Sequence, residues 1–259
     1  MAETSYSLVG DVALVTLERP DSFNAIDLAV SRSLLSDIDR AGDEARALVI
    51  TGSGRAFSAG VDLGGLKAKY AAGAPDLAAT IRDVFNPIVE GLHGARVPTI
   101  AAVNGVAAGA GMGVALACDL RVVAASAYFM SAFINVAVVP DTATSASLPR
   151  MVGLSRAMEI AFSGRRVPAD EAVAIGLAHR VSDDGAAVGD ALAWAAQLAD
   201  GPTAAYVATR RLLLHGSSHP VVGAIAEEMR VQGEMGARPE HLEAVEAFLG
   251  KRPPDFRGV

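Results

Sequence analysis

The first part of the chain alternates apolar and polar positions as strands do. Residues 8–18 alternate in part, and Gly10-Asp11 interrupts the pattern, which predicts a β-hairpin with its turn at that pair. After Asp27, apolar residues recur at every fourth position, which predicts a helix capped by this aspartate. These apolar residues are Val30, Leu34 and Ile38.

The pattern then changes from strands joined by helices to helices alone. An apolar run at 47–51 predicts a buried strand and precedes a glycine-rich loop at 52–65. This layout predicts an α/β protein with helices covering sheets, and parallel strands in its front part. Further strands are predicted at 98–103, 120–124 and 128–130, and helices at 75–93, 109–118, 142–152, 154–163, 168–175, 185–200, 202–215, 221–235 and 238–249.

Composition narrows the class of protein. The 259 residues suit one large domain or two small ones, and 51% apolar with 20% charged residues is typical of globular chains. A net charge of −7 argues against nucleic-acid and polybasic membrane contacts, so we expect neither partner. The single cysteine, Cys118, excludes an intramolecular disulfide and suits a cytoplasmic protein. Its apolar neighbours predict a buried thiol.

Two uncharged runs, 97–118 and 122–140, resemble membrane spans in length. Half of the first run is Ala and Gly, and both runs contain polar residues, so we expect buried core. The chain's first residues lack the basic and apolar regions of a signal peptide, so we expect no export.

Two glycine-rich loops follow strands, at 51–62 and 104–113, and the second opens a helix. Free amides at a helix start suit an anion or an enolate oxygen, and one amide from each loop would form an oxyanion site. Tight packing of a helix on a sheet explains the same small residues, and spacing alone leaves both interpretations open. The dinucleotide fingerprint fails, because Val114 stands where its last glycine is needed.

Asp141 is the carboxylate with the most chemical interest. It follows Pro140 and precedes a predicted helix, so one interpretation is a helix N-cap. An acid in apolar surroundings also has its pKa raised toward the range useful for proton transfer. The pairs Arg165-Arg166 and Arg210-Arg211 are predicted to be solvated, and the alternative is that one of them binds a phosphate.

Several motifs, spread almost end to end, resemble the crotonase superfamily of enoyl-CoA hydratases and isomerases. The motifs are Arg19-Pro20 with Asn24-Ala25, Phe57-Ser58-Ala59-Gly60-Val61-Asp62-Leu63, Pro98-Thr99-Ile100-Ala101-Ala102-Val103-Asn104-Gly105, Cys118-Asp119, Leu148-Pro149-Arg150, Gly153, Phe248-Leu249 and Lys251-Arg252-Pro253-Pro254.

The resemblance implies an α/β fold: a crotonase-like spiral of ββα units with two roughly perpendicular sheets. It implies a spiral core at 1–200 that binds acyl-CoA and carries catalysis. A C-terminal helical region at 201–259 would assemble a homotrimer, or a hexamer made of two trimers. The implied ligand is an acyl-CoA thioester. Coenzyme A enters as part of the substrate, and no separate cofactor or metal is expected.

The resemblance also implies roles for particular residues. The backbone N–H groups of Val61 and Ala110 would form the oxyanion hole. Glycine is usual at the second position, but alanine keeps the amide. Contacts to coenzyme A and the acyl group are implied for Ala25, Ala59, Asp62, Leu63, Val106, Gly109, Gly113 and Phe133.

The chain departs from the hydratase pattern at its two catalytic glutamates. Their positions match Gly113 and Phe133, and neither residue transfers a proton. Asp141 matches an aspartate of the ring-epoxyphenylacetyl-CoA isomerase and chlorobenzoyl-CoA dehalogenase branches, which the active-site pattern resembles most. The dehalogenase's histidine position holds Asn86.

We therefore expect an enzyme that isomerises an unsaturated acyl-CoA through a thioester enolate, with Asp141 as the proton shuttle. The alternatives are an atypical enoyl-CoA hydratase, a thioesterase or a dehalogenase, and an acyl-CoA-binding protein without catalysis.

Overall fold

The chain begins with the predicted hairpin. In a computed structural model that describes residues 3–259, β1 (Thr4–Val9) and β2 (Val12–Leu17) pair antiparallel. Val9 lies opposite Val12, so the turn falls on Gly10-Asp11, where Gly10 takes a left-handed φ of 60°. The hairpin prediction is confirmed.

The strands form two mixed sheets. The six-stranded sheet has the order β1-β2-β3-β5-β7-β10, and the four-stranded sheet has the order β4-β6-β8-β9. Every neighbouring pair is parallel except β1 with β2 and β8 with β9. The remaining strands are β3 (Ala47–Gly52), β4 (Ala56–Ser58), β5 (Thr99–Val103), β6 (Val106–Ala108), β7 (Leu120–Ala124), β8 (Tyr128–Met130), β9 (Arg166–Pro168) and β10 (Arg180–Ser182).

Consecutive strands alternate between the sheets, which produces a repeated ββα unit. β3 joins the larger sheet and β4 the smaller one before helices follow, and β5 with β6 and β7 with β8 repeat the pattern. Four short strands, β4, β6, β9 and β10, were not predicted. Each has only three residues, too few to show an alternating pattern; the equally short β8 was predicted, at 128–130.

Except for α2, which was not predicted, the helices agree with the predicted ones to within a few residues. Asp27 caps α1 as predicted, because its carboxylate accepts hydrogen bonds from the amides of Ala29 and Val30. The long helix predicted at 75–93 is interrupted by a π-helical turn at Ile81–Phe85. The helices are α1 (Leu28–Glu44), α2 (Leu63–Lys69), α3 (Leu77–Thr80), α4 (Asn86–His93), α5 (Ala110–Ala117), α6 (Thr144–Val152), α7 (Leu154–Ser163), α8 (Ala169–Ala174), α9 (Ala187–Ala199), α10 (Thr203–Gly216), α11 (Val221–Gly236) and α12 (Pro239–Leu249).

The first uncharged run forms the centre of the core. β5 and α5 are buried throughout, and Cys118 is buried as predicted. The second run is only partly buried, because Ile134, Val136 and Val139 are exposed, so the core prediction was wrong for that stretch. Within residues 3–259, none of the helices combines the length and the apolarity needed to cross a bilayer.

Two of the arginines predicted to be solvated are held by carboxylates. Arg210 of α10 is 8% exposed and forms an ion pair with Asp119 at 2.6 Å. Arg165 binds Glu159 and Glu171. The prediction was wrong for Arg210 because its sequence neighbours do not reveal a carboxylate brought near from 91 positions away.

Candidate active site

The two glycine-rich loops meet at Gly60. Gly60 takes a φ of +79°, and a Cβ added to it would lie 2.8 Å from the amide nitrogen of Ala110 and 3.0 Å from the carbonyl oxygen of Ala108. A side chain would therefore push the loop after β4 away from the start of α5. Glycine allows the close approach.

The segment 23–26, which precedes α1, holds this junction through backbone hydrogen bonds. The Ala59 amide donates to the Phe23 carbonyl at 2.9 Å, and the Ile26 amide donates to the Gly60 carbonyl at 2.7 Å. Ala25, predicted as a substrate contact, is buried within this supporting segment.

Two buried polar side chains fasten the same loop. The Ser58 hydroxyl donates to the carbonyl of Asn24 at 2.8 Å. The Asn24 amide group donates to the carbonyls of Ser53 and Ala56. These bonds fix the backbone that carries Val61.

The predicted oxyanion donors therefore lie on adjoining, rigid backbone. Among residues 3–259, no group accepts a hydrogen bond from the amide of Val61 or of Ala110. Gly109 takes a φ of +53°, and its own amide donates to the Met130 carbonyl, which fixes the entry into α5. Preorganised free amides of this kind stabilise a developing oxyanion.

The predicted contacts to coenzyme A occupy different parts of the surface. Ala59 lies at the junction, since a Cβ on Gly109 would be 4.0 Å from its carbonyl oxygen. Val106 begins β6, opposite Ala56 of β4. Leu63 and Asp62 are exposed just after Val61. Asp62 also has a structural role, because its carboxylate accepts from the Gly64 amide and caps α2.

Gly113 lies against the segment that carries Asp141. A Cβ on Gly113 would be 2.6 Å from Cβ of Thr142 and 2.7 Å from its carbonyl oxygen. Gly113 is three residues after Ala110 on α5, so the two lie on one face about one turn apart. Thr142 thus packs one turn from a predicted oxyanion donor, in the space that a side chain at 113 would need.

The Asp141 carboxylate does not cap a helix, so the N-cap interpretation was wrong. α6 begins at Thr144 with Ala143 as its cap residue, and no side chain bonds to its first amides. Asp141 is partly buried, and the Thr142 hydroxyl donates to its Oδ1 at 2.7 Å. Burial raises the pKa of Asp141 above its usual value, and the bond from Thr142 partly opposes this rise.

Phe133 lies in the chain segment that precedes Asp141. Its ring is 6% exposed, in a 3₁₀ turn at Ala132–Val136. Its carbonyl accepts a hydrogen bond from the Val138 amide at 3.1 Å, which folds the chain back toward Pro140.

Sequence reasoning did not single out Gly60, Ser58, Asn24 or Thr142 individually. The first three lie in motifs that it quoted, so their place beside Val61 and Ala25 was a usable signal. The contact of Thr142 with Gly113 depends on the fold, so no local pattern in the sequence could show it.

Comparisons with known proteins agree along nearly the whole chain. The family model for enoyl-CoA hydratase/isomerase matches residues 9–259. A probable enoyl-CoA hydratase from Rhodobacter capsulatus is 41% identical over 253 residues, which cover 98% of this chain and 97% of the relative. The 1,2-epoxyphenylacetyl-CoA isomerase of Escherichia coli is 34% identical over 250 residues, which cover 95% of each chain. A solved structure from Mycobacterium abscessus, assigned to the enoyl-CoA hydratases/isomerases, has a TM-score of 0.90 at 36% identity and covers 98% of each chain.

Proposed function

Because the chain belongs to the enoyl-CoA hydratase/isomerase family, we propose that it isomerises an unsaturated acyl-CoA, with Asp141 as the proton shuttle. As a member of this family, the protein is an acyl-CoA-processing enzyme. Its fold is the α/β crotonase fold with two mixed sheets and C-terminal helices, as the sequence predicted.

The proposed reaction moves one proton and adds no atom. The Asp141 carboxylate removes a proton from a carbon activated by the thioester, and the electron pair passes to the thioester oxygen. The amides of Val61 and Ala110 stabilise this enolate oxygen. Protonated Asp141 then returns the proton to a different carbon, the thioester carbonyl re-forms and the double bond has moved.

The observation that carries this proposal is that, among the described residues, the Asp141 carboxylate accepts a hydrogen bond at Oδ1 only and serves no helix cap. It is partly buried, caps no helix and directly precedes Thr142, which packs on α5 at Gly113. Burial also makes it a stronger base than an exposed aspartate, since desolvation disfavours its charged form. Gly113 and Phe133, where the resemblance expects glutamates, offer no competing acid.

The proposed substrate contacts are those that the resemblance implied. Ala25, Ala59 and Gly109 adjoin the loop junction, and Gly113 adjoins Thr142. Similarity to the 1,2-epoxyphenylacetyl-CoA isomerase supports isomerisation as one reaction open to this chain. The remaining proposed contacts are Asp62, Leu63, Val106 and Phe133.

Turnover of vinylacetyl-CoA in deuterated water tests the proposal. We expect the double bond to move into conjugation with the thioester, and deuterium to enter the product in the turnovers in which protonated Asp141 exchanges with solvent before it returns its proton. Asp141→Asn should lower kcat by roughly 10²–10⁴ while binding of the acyl-CoA is kept, because acid–base catalysis contributes about that factor. Equal turnover by wild type and Asp141→Asn would refute the role of Asp141.

Similarity to the probable enoyl-CoA hydratase of Rhodobacter capsulatus favours water addition as the second candidate. Heavy-oxygen water separates the two reactions, since a hydratase, thioesterase or dehalogenase incorporates solvent oxygen into product and an isomerase does not. Tight acyl-CoA binding without turnover or exchange would instead support a protein that binds without catalysis.

We propose that residues 201–259 assemble the chain into a homotrimer, or into a hexamer of paired trimers, around a catalytic core at 1–200. Large apolar side chains stand exposed along α11 and α12, at helical spacing and with no cover from this chain's described residues. Sedimentation should report three or six times the chain mass of 26.5 kDa, and a monomer at micromolar concentration would refute assembly. The exposed residues are Val221, Val222, Ile225, Met229, Leu242, Val245, Phe248 and Leu249.

A further inference from the structure

We propose that Thr142 is a positioning residue for Asp141: its hydroxyl holds one carboxylate oxygen while its backbone and methyl group rest on Gly113. This inference depends on the proposed role of Asp141 as the proton shuttle. It adds a reason why the carboxylate points in one direction and why position 113 is a glycine.

The hydrogen bond distinguishes the two oxygens of the carboxylate. Thr142 Oγ1 donates to Oδ1 of Asp141 at 2.7 Å, and Thr142 is only 2% exposed, so water competes little for this bond. No other hydrogen bond to the carboxylate forms within residues 3–259. Oδ1 is therefore held, and Oδ2 is left to take and return a proton.

Gly113 provides a fixed surface for Thr142. A Cβ at position 113 would lie 2.6 Å from Cβ and 2.8 Å from Cγ2 of Thr142. Since α5 is buried along its whole length, it has little freedom to move aside. The same helix carries the Ala110 amide, so Thr142 ties the acid to the element that would hold the thioester oxygen.

The backbone around Thr142 is held in an uncommon conformation. Thr142 and Ala143 take φ values of 50° and 55°, in the left-handed region that β-branched residues avoid. The Thr144 amide donates to the Asp141 carbonyl at 2.8 Å, and the Ser147 amide donates to the Ala143 carbonyl at 2.9 Å. Strained positions that the surroundings enforce in this way cluster at functional sites.

Few charges face this carboxylate, which makes its titration a clean measure of the hydrogen bond. α5 and the segment 132–140 contain no ionisable side chain, and α6 contains only Arg150, which is exposed. Burial and the Thr142 hydroxyl are the influences on the pKa of Asp141, and they act in opposite directions.

Thr142→Val and Thr142→Ser test the hydroxyl directly. Valine keeps the shape and removes the donor, so the pKa of Asp141 should rise by roughly half a unit to one unit. The acid limb of the pH–rate profile for vinylacetyl-CoA should move up by the same amount, and kcat should fall roughly ten- to hundredfold. Serine keeps the donor and should restore the acid limb to its wild-type position.

Carboxyl-carbon NMR of isotopically labelled protein measures the pKa of Asp141 without any turnover. An unchanged pKa and pH–rate profile in Thr142→Val would overturn the positioning role, even if Asp141→Asn abolishes catalysis. Conversely, a raised pKa in a protein whose Asp141→Asn variant turns over normally would sink the proposed function and keep the hydrogen-bond assignment. If Thr142→Val does not fold, Thr142→Ala, which strains the left-handed backbone less, takes its place with the same expected shift.

Gly113→Ala tests the packing contact, with Gly189→Ala as the matched helical control. The added methyl group at 113 would collide with Thr142, whereas one at 189 in α9 would meet nothing within 4 Å. We expect kcat to fall roughly tenfold or more in Gly113→Ala and to stay unchanged in Gly189→Ala. Equal kcat in the two variants would overturn the role of the Gly113 contact.

Discussion

The ionised carboxylate of Asp141 is less favourable in the folded chain than in the unfolded one. Its carboxylate has one hydrogen-bond donor, Thr142, and no helix amide to cap, while burial raises its pKa above the ordinary 3.8. A group kept ionised at neutral pH against such a rise weakens the fold. The observed arrangement is therefore hard to explain by stability and easier to explain by chemistry.

Asp141→Asn should consequently raise thermal stability at pH 7. As the pH rises through the ordinary range of aspartate, the unfolded chain ionises first, and stability falls until the folded group ionises at its raised pKa. Asparagine removes this cost and still accepts the bond from Thr142. At this chain length 1 kcal/mol corresponds to roughly 2–4 °C, so we expect a rise in Tm of that order or less.

The pH dependence of the rise in Tm tests whether ionisation of Asp141 is its cause. The gain should vanish below the ordinary aspartate range, where both states are protonated. Asp183→Asn changes the net charge equally at an exposed position and should leave Tm nearly unchanged. A stability gain that persists in acid would contradict the linkage argument.

What the sequence revealed about single residues depended on whether their partners were near in the chain. The cap at Asp27 was predictable because its partners, the amides of Ala29 and Val30, are local. The similar pattern at Asp141 misled because two residues in left-handed conformations separate it from α6. Threonine and alanine rarely adopt a left-handed conformation, so the sequence gives no reason to expect one at 142 and 143.

At the scale of elements, the long strands and most helices were predictable, but α2 and four of the five three-residue strands were not. β4 and β6 have three residues each and exist through pairing across sequence separations of about fifty positions. No local period encodes that pairing. Yet these two strands bring the loop of Gly60 beside the start of α5, so the least predictable elements position the candidate site.

Gly60→Ala should damage the junction between these elements. The new methyl group would lie 2.8 Å from the Ala110 nitrogen and 3.0 Å from the Ala108 oxygen, so the loops must separate. We expect kcat/KM for vinylacetyl-CoA to fall about 10²–10³, the effect of losing one oxyanion donor.

Gly185→Ala is the matched control for backbone strain. Gly185 takes a φ of +83° against +79° for Gly60, but an added Cβ at 185 would meet nothing within 4 Å. Both variants should lose about 1 kcal/mol or more of stability from the left-handed conformation, and only Gly60→Ala should lose activity. Similar kcat/KM values in the two variants would contradict the junction as the oxyanion site.

At the scale of the whole molecule, the C-terminal helices are joined to the sheets through Arg210. Its guanidinium donates to both oxygens of Asp119, to the Ala95 carbonyl and to the Val97 carbonyl, at 2.6–2.7 Å. Asp119 in turn accepts from the amide and the hydroxyl of Thr99, at the start of β5. This network crosses the predicted division between residues 1–200 and 201–259, so the two parts are expected to unfold together.

Arg210→Met should therefore destabilise the molecule as one cooperative unit. Methionine keeps much of the apolar length of the side chain but removes the guanidinium from Asp119, which keeps only its Thr99 donors, and from the carbonyls of Ala95 and Val97. Removing one partner of a buried pair costs about 3–5 kcal/mol, and the partial exposure of Asp119 favours the lower value.

Arg211→Met changes the charge equally at the neighbouring exposed position and should alter the free energy of unfolding by less than about 0.5 kcal/mol. Urea unfolding at one fixed protein concentration compares the two variants, because assembly makes stability depend on concentration. A single transition shifted only in Arg210→Met is expected, whereas two separate transitions in the wild type would show that the C-terminal helices fold as an independent unit.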